Sequence, residues 1–239
     1  MLNEYLVGFG GLIAYFLPCV ICVLLIKKFT KVPNELYRKI LHLVFLGSLF
    51  VFVNVFRTWW VSASTAILLA VAIFPVLILF EKLVDFSQLL TERKHGEIKR
   101  SLALAFGMFA VVISVCWGWL GDKWLVIASI FAWGLGDAAA ALFGKRFGRH
   151  FLEGKLIEGR KSIEGTLSMF IVSFLSVSTI LLLRGGLPWY SCATTALVTA
   201  VACAATELYT LDGFDTVTCP LAAAAVIIPF MFLWGGVSI

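Results

Sequence analysis

The sequence predicts an all-α, polytopic integral membrane protein, and two observations lead to this fold class. First, 61% of the 239 residues are hydrophobic and 14% are charged, with a mean hydropathy of +1.00. A water-soluble domain of this composition would expose large apolar patches. Second, the apolar runs are continuous and do not alternate with polar residues, which favours membrane-spanning helices over a membrane β-barrel. We expect one transmembrane domain over residues 1–239.

Membrane-spanning helices need about 20 apolar residues each. Runs of this length predict about eight spans, at 5–26, 40–56, 61–80, 102–120, 124–143, 165–184, 189–208 and 219–237. The first run has no basic segment before it, so we interpret it as a retained span and not as a cleaved signal peptide.

Loop charges predict the orientation of these spans. Sixteen of the nineteen basic residues lie in the loops after the first, third and fifth spans. The exceptions are Arg57, Lys123 and Arg184. Because cytoplasmic loops are enriched in lysine and arginine, the rule places these three loops in the cytoplasm and both termini on the other side. The membrane would be the plasma membrane if the source is bacterial.

The same rule explains the net charge of +5, and no recognised nucleic-acid module is present, so no nucleic-acid partner is expected. The six cysteines are scattered through apolar runs and are predicted to be buried apolar residues, not metal ligands or disulfides. His95 and His150 are predicted to be surface loop residues.

The fifth span contains a carboxylate, Asp137, seven residues before Gly144 and so about 10 Å from the span's cytoplasmic end. An ionised carboxylate there costs about 2–3 kcal/mol or more unless it meets a cation, donors or water. Gly136, Ala140 and Gly144 recur every four residues, and such small residues allow a second helix to approach closely. We therefore expect Asp137 to point into the bundle.

More acids follow at the same membrane face. The seventh span ends in Glu207, and the next loop, "LDGFDTVTCP", adds Asp212 and Asp215 and contains no basic residue. Four carboxylates thus face a loop rich in lysine, arginine and glycine. Mg²⁺ binds a few carboxylate oxygens together with nucleotide phosphates, and phosphoryl transfer requires neutralisation of phosphate charge. The pattern therefore predicts a site for a metal-bound phosphate compound, although no P-loop or Rossmann motif occurs.

Each of these residues also has a simpler interpretation. Asp137 could bond a neighbouring helix or relay protons, and Asp212 could form a turn before Gly213. Asp215 could cap the eighth span, and Glu207 could reach the membrane surface. The basic loop could serve only as a topology signal.

Three segments, in this order, resemble the family of CTP-dependent polyprenol and lipid kinases: "RKILHL", "GDAAAALFGKRFGRHF" and "GRKSIEGTLSMF". The acidic loop near the end is similar too. This family includes dolichol kinase, phytol kinase and CTP-dependent diacylglycerol kinase, and it is distantly related to phosphatidate cytidylyltransferases.

The resemblance implies a membrane enzyme that uses CTP and Mg²⁺, or another divalent cation, at the cytoplasmic face. It implies catalytic roles for Asp137, Glu207 and Asp215, which together with Asp212 would hold the metal. The nucleotide-binding residues would be Gly144, Lys145, Arg146, Gly148, Arg160, Lys161, Ser162, Glu164 and Gly165. Arg160 stands where many relatives have lysine. Arg38, Lys39 and His42 would contact the lipid acceptor or its headgroup, although His42 could equally be an interface residue.

The leading expectation is transfer of the terminal phosphate of CTP to the hydroxyl of an isoprenoid alcohol or diacylglycerol. The alternatives are a phosphatidate cytidylyltransferase, whose usual glycine- and histidine-containing acidic signature is missing here, and a small ion- or proton-coupled transporter. The sequence identifies neither the lipid nor the oligomeric state.

Overall fold

The computed structural model describes residues 1–83, 97–152, 154, 161–210 and 213–237. Within these ranges the protein is almost entirely helical. The helices are α1 (Leu2–Phe29), α2 (Asn34–Gly47), α3 (Leu49–Asn54), α4 (Trp59–Leu83), α5 (Glu97–Val112), α6 (Lys123–Phe147), α7 (Ile163–Arg184), α8 (Trp189–Tyr209) and α9 (Asp215–Leu233). A π-helical segment, Ile113–Trp119, continues α5, and strands β1 (Phe151–Leu152) and β2 (Lys161–Ser162) form a short antiparallel pair.

These helices confirm the predicted class of polytopic α-helical membrane protein. Seven helical stretches of the described chain have the length and composition of a membrane span: Leu2–Phe29, Asn34–Asn54, Lys99–Trp119, Lys123–Phe147, Ile163–Arg184, Trp189–Tyr209 and Asp215–Leu233. A shorter apolar stretch, Trp59–Ala72, belongs to α4. Every predicted span therefore coincides with a helix, while the orientation of the termini stays a prediction.

The chain divides into two compact units, Met1–Val111 and Val112–Ile239. The boundary falls within the continuous helical stretch Lys99–Trp119. The expectation of a single domain is not tested by this division.

In the first unit, a carboxylate near the N-terminus caps a later helix. Glu4 Oε1 accepts hydrogen bonds from the backbone N–H groups of Arg57 at 2.9 Å and Thr58 at 2.8 Å, directly before α4. These donors have no partner inside the helix, so Glu4 satisfies them and joins α1 to α4. An aromatic cluster of Phe45, Phe52, Phe106 and Phe109 fills the core of this unit.

In the second unit, α6 packs against α7, α8 and α9, and its segment from Leu125 to Ile130 is buried throughout. At one end of this unit, Arg184 Nε donates to Asp122 Oδ2 at 2.5 Å and joins the end of α7 to the start of α6. The opposite end brings together the last turns of α6 and α8 and the first turns of α7 and α9. The candidate site lies there.

The cysteines only partly follow the prediction. All six are free thiols, as expected, and Cys116, Cys192, Cys203 and Cys219 are buried. Cys22 is exposed and Cys19 is half-buried. Both lie on α1, which buries few of its residues, so this apolar helix accommodates cysteine without enclosing it.

Candidate active site

The small residues of α6 allow close contact with α7, as predicted. A Cβ atom on Gly136 would lie 2.5 Å from Ser173 Oγ and 2.6 Å from Met169 Sδ. Farther along, the Cα atom of Gly165 lies 3.3 Å from the position a Cβ atom would take on Gly144. Ser173 also donates to the carbonyl oxygen of Ala132 at 2.6 Å. This contact holds α6, and with it Asp137, against the neighbouring helix.

Asp137 lies deeper in its helix than the sequence indicated. Because α6 continues to Phe147, Asp137 is ten residues from its C-terminal end, or about 15 Å. It is half-buried. Its carboxylate is near enough to the buried thiol of Cys219 on α9 to act on it electrostatically. That the Asp137 side chain points into the bundle stays a prediction.

Glu207 and Asp215 lie near the same thiol. The charges of both carboxylates act on Cys219, together with that of Asp137. Cys203 on α8 and Cys219 on α9 each place Sγ 3.9 Å from the other's carbonyl oxygen, so the two helices are in close contact here. Acids from α6, α8 and α9 are thus near enough to one buried thiol for their charges to act on it, and their grouping into a site stays a prediction.

Lys161 pairs with one of these acids. Its Nζ atom lies 3.1 Å from Glu207 Oε1 and also donates to the Glu207 carbonyl oxygen. The side chains of Lys161 and Glu207 are only 19% and 14% exposed. Because separating partly buried opposite charges is costly, this pair fixes β2 against the end of α8. It also brings a cation from the basic loop to the acids.

Three of the predicted nucleotide-binding glycines surround Ser162. Ser162 Oγ accepts the Gly165 N–H at 3.1 Å and so caps α7. A Cβ atom on Gly148 would collide with the Gly144 carbonyl oxygen and lie 2.9 Å from Ser162 Oγ. Packing alone therefore requires glycine at 148, and the role of these residues toward a phosphate stays a prediction.

The end of α6 carries exposed positive charge. Lys145 and Arg146 are exposed in its last turn, and the Arg146 guanidinium lies 5.5 Å from the centre of the Phe147 ring. Cations at a helix C-terminus are also favoured by the helix dipole. Both side chains are placed where an anion in solution can reach them.

His150 is not simply the surface residue that the sequence predicted. Its ring is 73% exposed, yet Nδ1 lies 2.8 Å from Glu164 Oε1. The His150 backbone N–H contacts both oxygens of the same carboxylate, at 3.3 and 3.4 Å. Sequence reasoning missed this pair because its two members are fourteen residues apart and meet only after α6 and α7 have packed.

Two predicted site residues, Arg160 and Asp212, lie outside the described residues, as does His95. Gly213, which follows Asp212, has a φ of +74°, a left-handed conformation that favours glycine and fits the predicted turn. Asp215 is the first residue of α9 and follows the N-cap residue Phe214, so Asp215 does not occupy the N-cap position.

Arg38, Lys39 and His42 belong to α2 in the first unit, and all three are half-buried. Arg38 lies 3.7 Å from Glu35 one turn earlier. The predicted contact of these residues with a lipid stays a prediction.

The described residues do not form a metal site made of protein side chains alone. Among them, no group of three or more histidine, cysteine, aspartate or glutamate side chains is placed to hold a metal ion. Mg²⁺, however, is usually bound by one or two carboxylates plus phosphate oxygens and water. A metal ion shared with a phosphate compound would need only one or two of the acids Asp137, Glu207 and Asp215.

The fold and the site together define the class of the protein. It is a polytopic helical membrane protein with acidic and basic residues at one end of a helical unit. The chain is similar to a phytol kinase from Synechocystis sp., with 29% identity over 229 residues, or 95% of this chain and 93% of that protein. This similarity supports the assignment to the polyprenol and phytol kinase family that the motifs indicated. No protein-family model matches the chain, and no solved structure matches it significantly.

Proposed function

We propose that the protein is a membrane lipid kinase that transfers the terminal phosphate of CTP to the hydroxyl of an isoprenoid alcohol. The observation that carries this proposal is the similarity to a phytol kinase over nearly the whole length of both chains. It covers the acids on α6, α8 and α9 as well as the basic loop between α6 and α7. The products would be CDP and the phosphorylated alcohol, with one proton released.

The acids supply the half of the site that handles the metal and the hydroxyl proton. Asp137, Glu207 and Asp215 come from three helices, and their charges all act on the buried thiol of Cys219. When bound, Mg²⁺ would neutralise charge on the phosphate oxygens of the donor. Of the three acids, the one nearest the alcohol hydroxyl would accept its proton.

The cations supply the half that holds the donor. Lys161 lies beside Glu207, and Lys145 and Arg146 are exposed at the end of α6. Such side chains bind triphosphates through charge-assisted hydrogen bonds, which are stronger than neutral ones. Cations and carboxylates meeting at one place are what phosphoryl transfer requires, because charge stabilisation and positioning supply most of the catalysis.

The basic residues of the loops also predict on which side of the membrane the site lies. We place the site at the cytoplasmic face, where the positive-inside rule puts the three basic loops and where the nucleotide is available. A membrane acceptor can present its hydroxyl at this face while its apolar chain stays among the helices.

Labelled CTP tests the reaction. We expect label at the terminal phosphate to appear in the lipid and label at the innermost phosphate to stay in CDP. The reverse pattern, obtained with phosphatidate as acceptor, would make the protein a cytidylyltransferase. If no nucleotide at millimolar concentration, with or without Mg²⁺, stabilises the purified protein against heat, the proposal fails and the transporter alternative gains support.

An acceptor screen tests the lipid class. Purified protein in detergent should phosphorylate phytol or a longer isoprenoid alcohol faster than diacylglycerol at equal mole fraction. Faster phosphorylation of diacylglycerol would overturn the isoprenoid part of the proposal and leave the kinase part intact.

A further inference from the structure

The basic loop between α6 and α7 is closed at its base by contacts that the proposed reaction has not used. The Ile163 N–H donates to the His150 carbonyl oxygen at 2.9 Å. Next to this bond, Phe151 pairs with Ser162 and Leu152 pairs with Lys161 in the β1–β2 ladder. These contacts form a short ladder that starts at His150. Lys161, which contacts Glu207, belongs to the last pair of this ladder.

The Glu164 side chain reinforces the start of this ladder. It accepts from the backbone N–H and the Nδ1 of His150, so both of its oxygens face one residue. Glu164 belongs to the first turn of α7, where the helix dipole favours a carboxylate. These contacts occupy the carboxylate and leave it poorly placed to act on a metal or a nucleotide.

We propose that His150 and Glu164 are positioning residues that act through Lys161. By fixing the base of the ladder to α7, they hold the Lys161 ammonium group beside Glu207, where the proposed function requires a cation for the donor phosphates. The inference rests on the proposed function for its effect on nucleotide binding, but the placement of Lys161 can be tested without nucleotide.

Two features make the effect specific to Lys161. The His150 ring is 73% exposed, so its removal leaves no buried cavity. The cap of α7 comes from Ser162 Oγ and is independent of the Glu164 side chain. Loss of the pair should therefore loosen the ladder while α6 and α7 keep their packing.

The first experiment measures steady-state kinetics of His150→Ala and Glu164→Ala. Each should raise KM for CTP about fivefold to tenfold and leave KM for the lipid unchanged, because only the donor meets Lys161. A general loss of folded enzyme would instead lower the maximal rate without moving KM. In His150→Asn, KM for CTP should stay close to the wild-type value, because the asparagine amide N–H can replace the Nδ1–H donor.

A double-variant comparison tests whether the pair acts through Lys161. In a Lys161→Ala background, adding His150→Ala should change KM for CTP by less than about twofold, since coupled residues are not additive. Ser168→Ala is the matched control, because Ser168 lies one turn along α7 and donates to the Glu164 carbonyl oxygen at 2.7 Å, not to the Glu164 carboxylate. Unchanged KM in both single variants, or a full additional effect in the double variant, would overturn the inference.

Limited trypsin digestion without nucleotide separates this inference from the proposed function. Release of Lys161 from Glu207 should speed cleavage between Lys161 and Ser162 at least threefold in His150→Ala, but not in Ser168→Ala. Equal cleavage in the wild type and His150→Ala contradicts the positioning role even if the enzyme is a kinase. Faster cleavage in a protein that does not bind CTP would support the role and reject the proposed donor.

Discussion

Asp137 is the residue whose placement is hardest to explain without a function. It lies about three helical turns inside α6, in a span where an ionised group is costly. The charges of Glu207 and Asp215 act on the same thiol, and Glu207 already pairs with Lys161. The proposed metal-bound donor would bring a further cation to these acids.

We therefore expect Asp137→Asn to lower turnover by roughly a hundredfold or more, because the amide keeps the size of the side chain and loses its charge. The variant should stay folded in detergent, since the amide keeps the size and the hydrogen-bonding capacity of the side chain. Turnover within a few-fold of wild type, at saturating Mg²⁺, would contradict the role of Asp137 at the metal.

A second prediction for a single residue concerns Lys161. Lys161→Ala should weaken CTP binding by about tenfold or more, given roughly 1.5–3 kcal/mol for a hydrogen bond to a charged group. Titration calorimetry or thermal shift would measure this. Lys31→Ala, which removes an exposed cation from the loop before α2, is the control for net charge. An equal loss of affinity in both variants would argue against a specific contact.

The sequence singled out candidate site residues but not the contacts between them. Asp137, Glu207, Asp215 and Lys161 could be found because charged residues stand out in apolar surroundings. The contact between Lys161 and Glu207 joins a loop strand to the end of a helix 46 positions later, and only tertiary packing decides it. His150 gave no signal, because an exposed loop histidine is ordinary until its partner is known.

At the scale of elements, apolar run lengths located every span, since each backbone polar group in a membrane must be satisfied within its own helix. Hydropathy did not predict where regular hydrogen bonding changes. The break between α2 and α3 and the π-helical segment Ile113–Trp119 both lie inside runs that read as single helices. Where a helix breaks or changes from α-helical to π-helical hydrogen bonding depends on local packing. Such a change does not alter the hydropathy of the sequence.

The contact between α6 and α7 predicts the effect of a larger side chain. Gly165→Val should lower the unfolding temperature by several degrees, because a Cβ atom there would lie 3.0 Å from the Ala140 carbonyl oxygen and 3.3 Å from Gly144 Cα. Overpacking of this kind costs about 1–3 kcal/mol. Gly107→Val adds the same atoms within α5, where nothing lies within 4 Å. Equal destabilisation of both variants would show that helix propensity, and not the contact, sets the cost.

The ion pair at the other end of the second unit predicts a larger effect. Besides pairing with Asp122, Arg184 donates to the Gly236 carbonyl oxygen at 2.6 Å, while Asp122 Oδ1 caps α6 through Trp124 N–H at 2.9 Å. Arg184→Met should cost about 3–5 kcal/mol, because Asp122 would keep a largely buried, unpaired charge. Adding Asp122→Asn should restore part of the stability, since asparagine still caps the helix. Thermal unfolding that is no better in the double variant would contradict this account.

For the whole molecule, the distribution of charge predicts which membrane face carries the site. Sixteen of nineteen basic residues lie in three loops. The exceptions include Arg184, which is paired with Asp122, and Lys123, whose Nζ atom lies 4.1 Å from the centre of the Trp117 ring. Local contacts therefore account for these two basic residues. The enrichment of the three loops in lysine and arginine can still be used to predict the orientation of the protein.

Orientation is the prediction on which the donor depends, because CTP is present only on the cytoplasmic side. In a bacterial host, alkaline phosphatase fused after residue 239 should be active outside the plasma membrane, whereas the same reporter fused after Arg149 should be inactive. Fluorescent protein fusions at the two positions should give the opposite result and exclude differences in expression. An active phosphatase after Arg149 would place Lys145, Arg146 and the acids near Cys219 on the outer face. A phosphoryl donor other than a cytoplasmic nucleotide would then be required, and the proposed reaction would have to be abandoned.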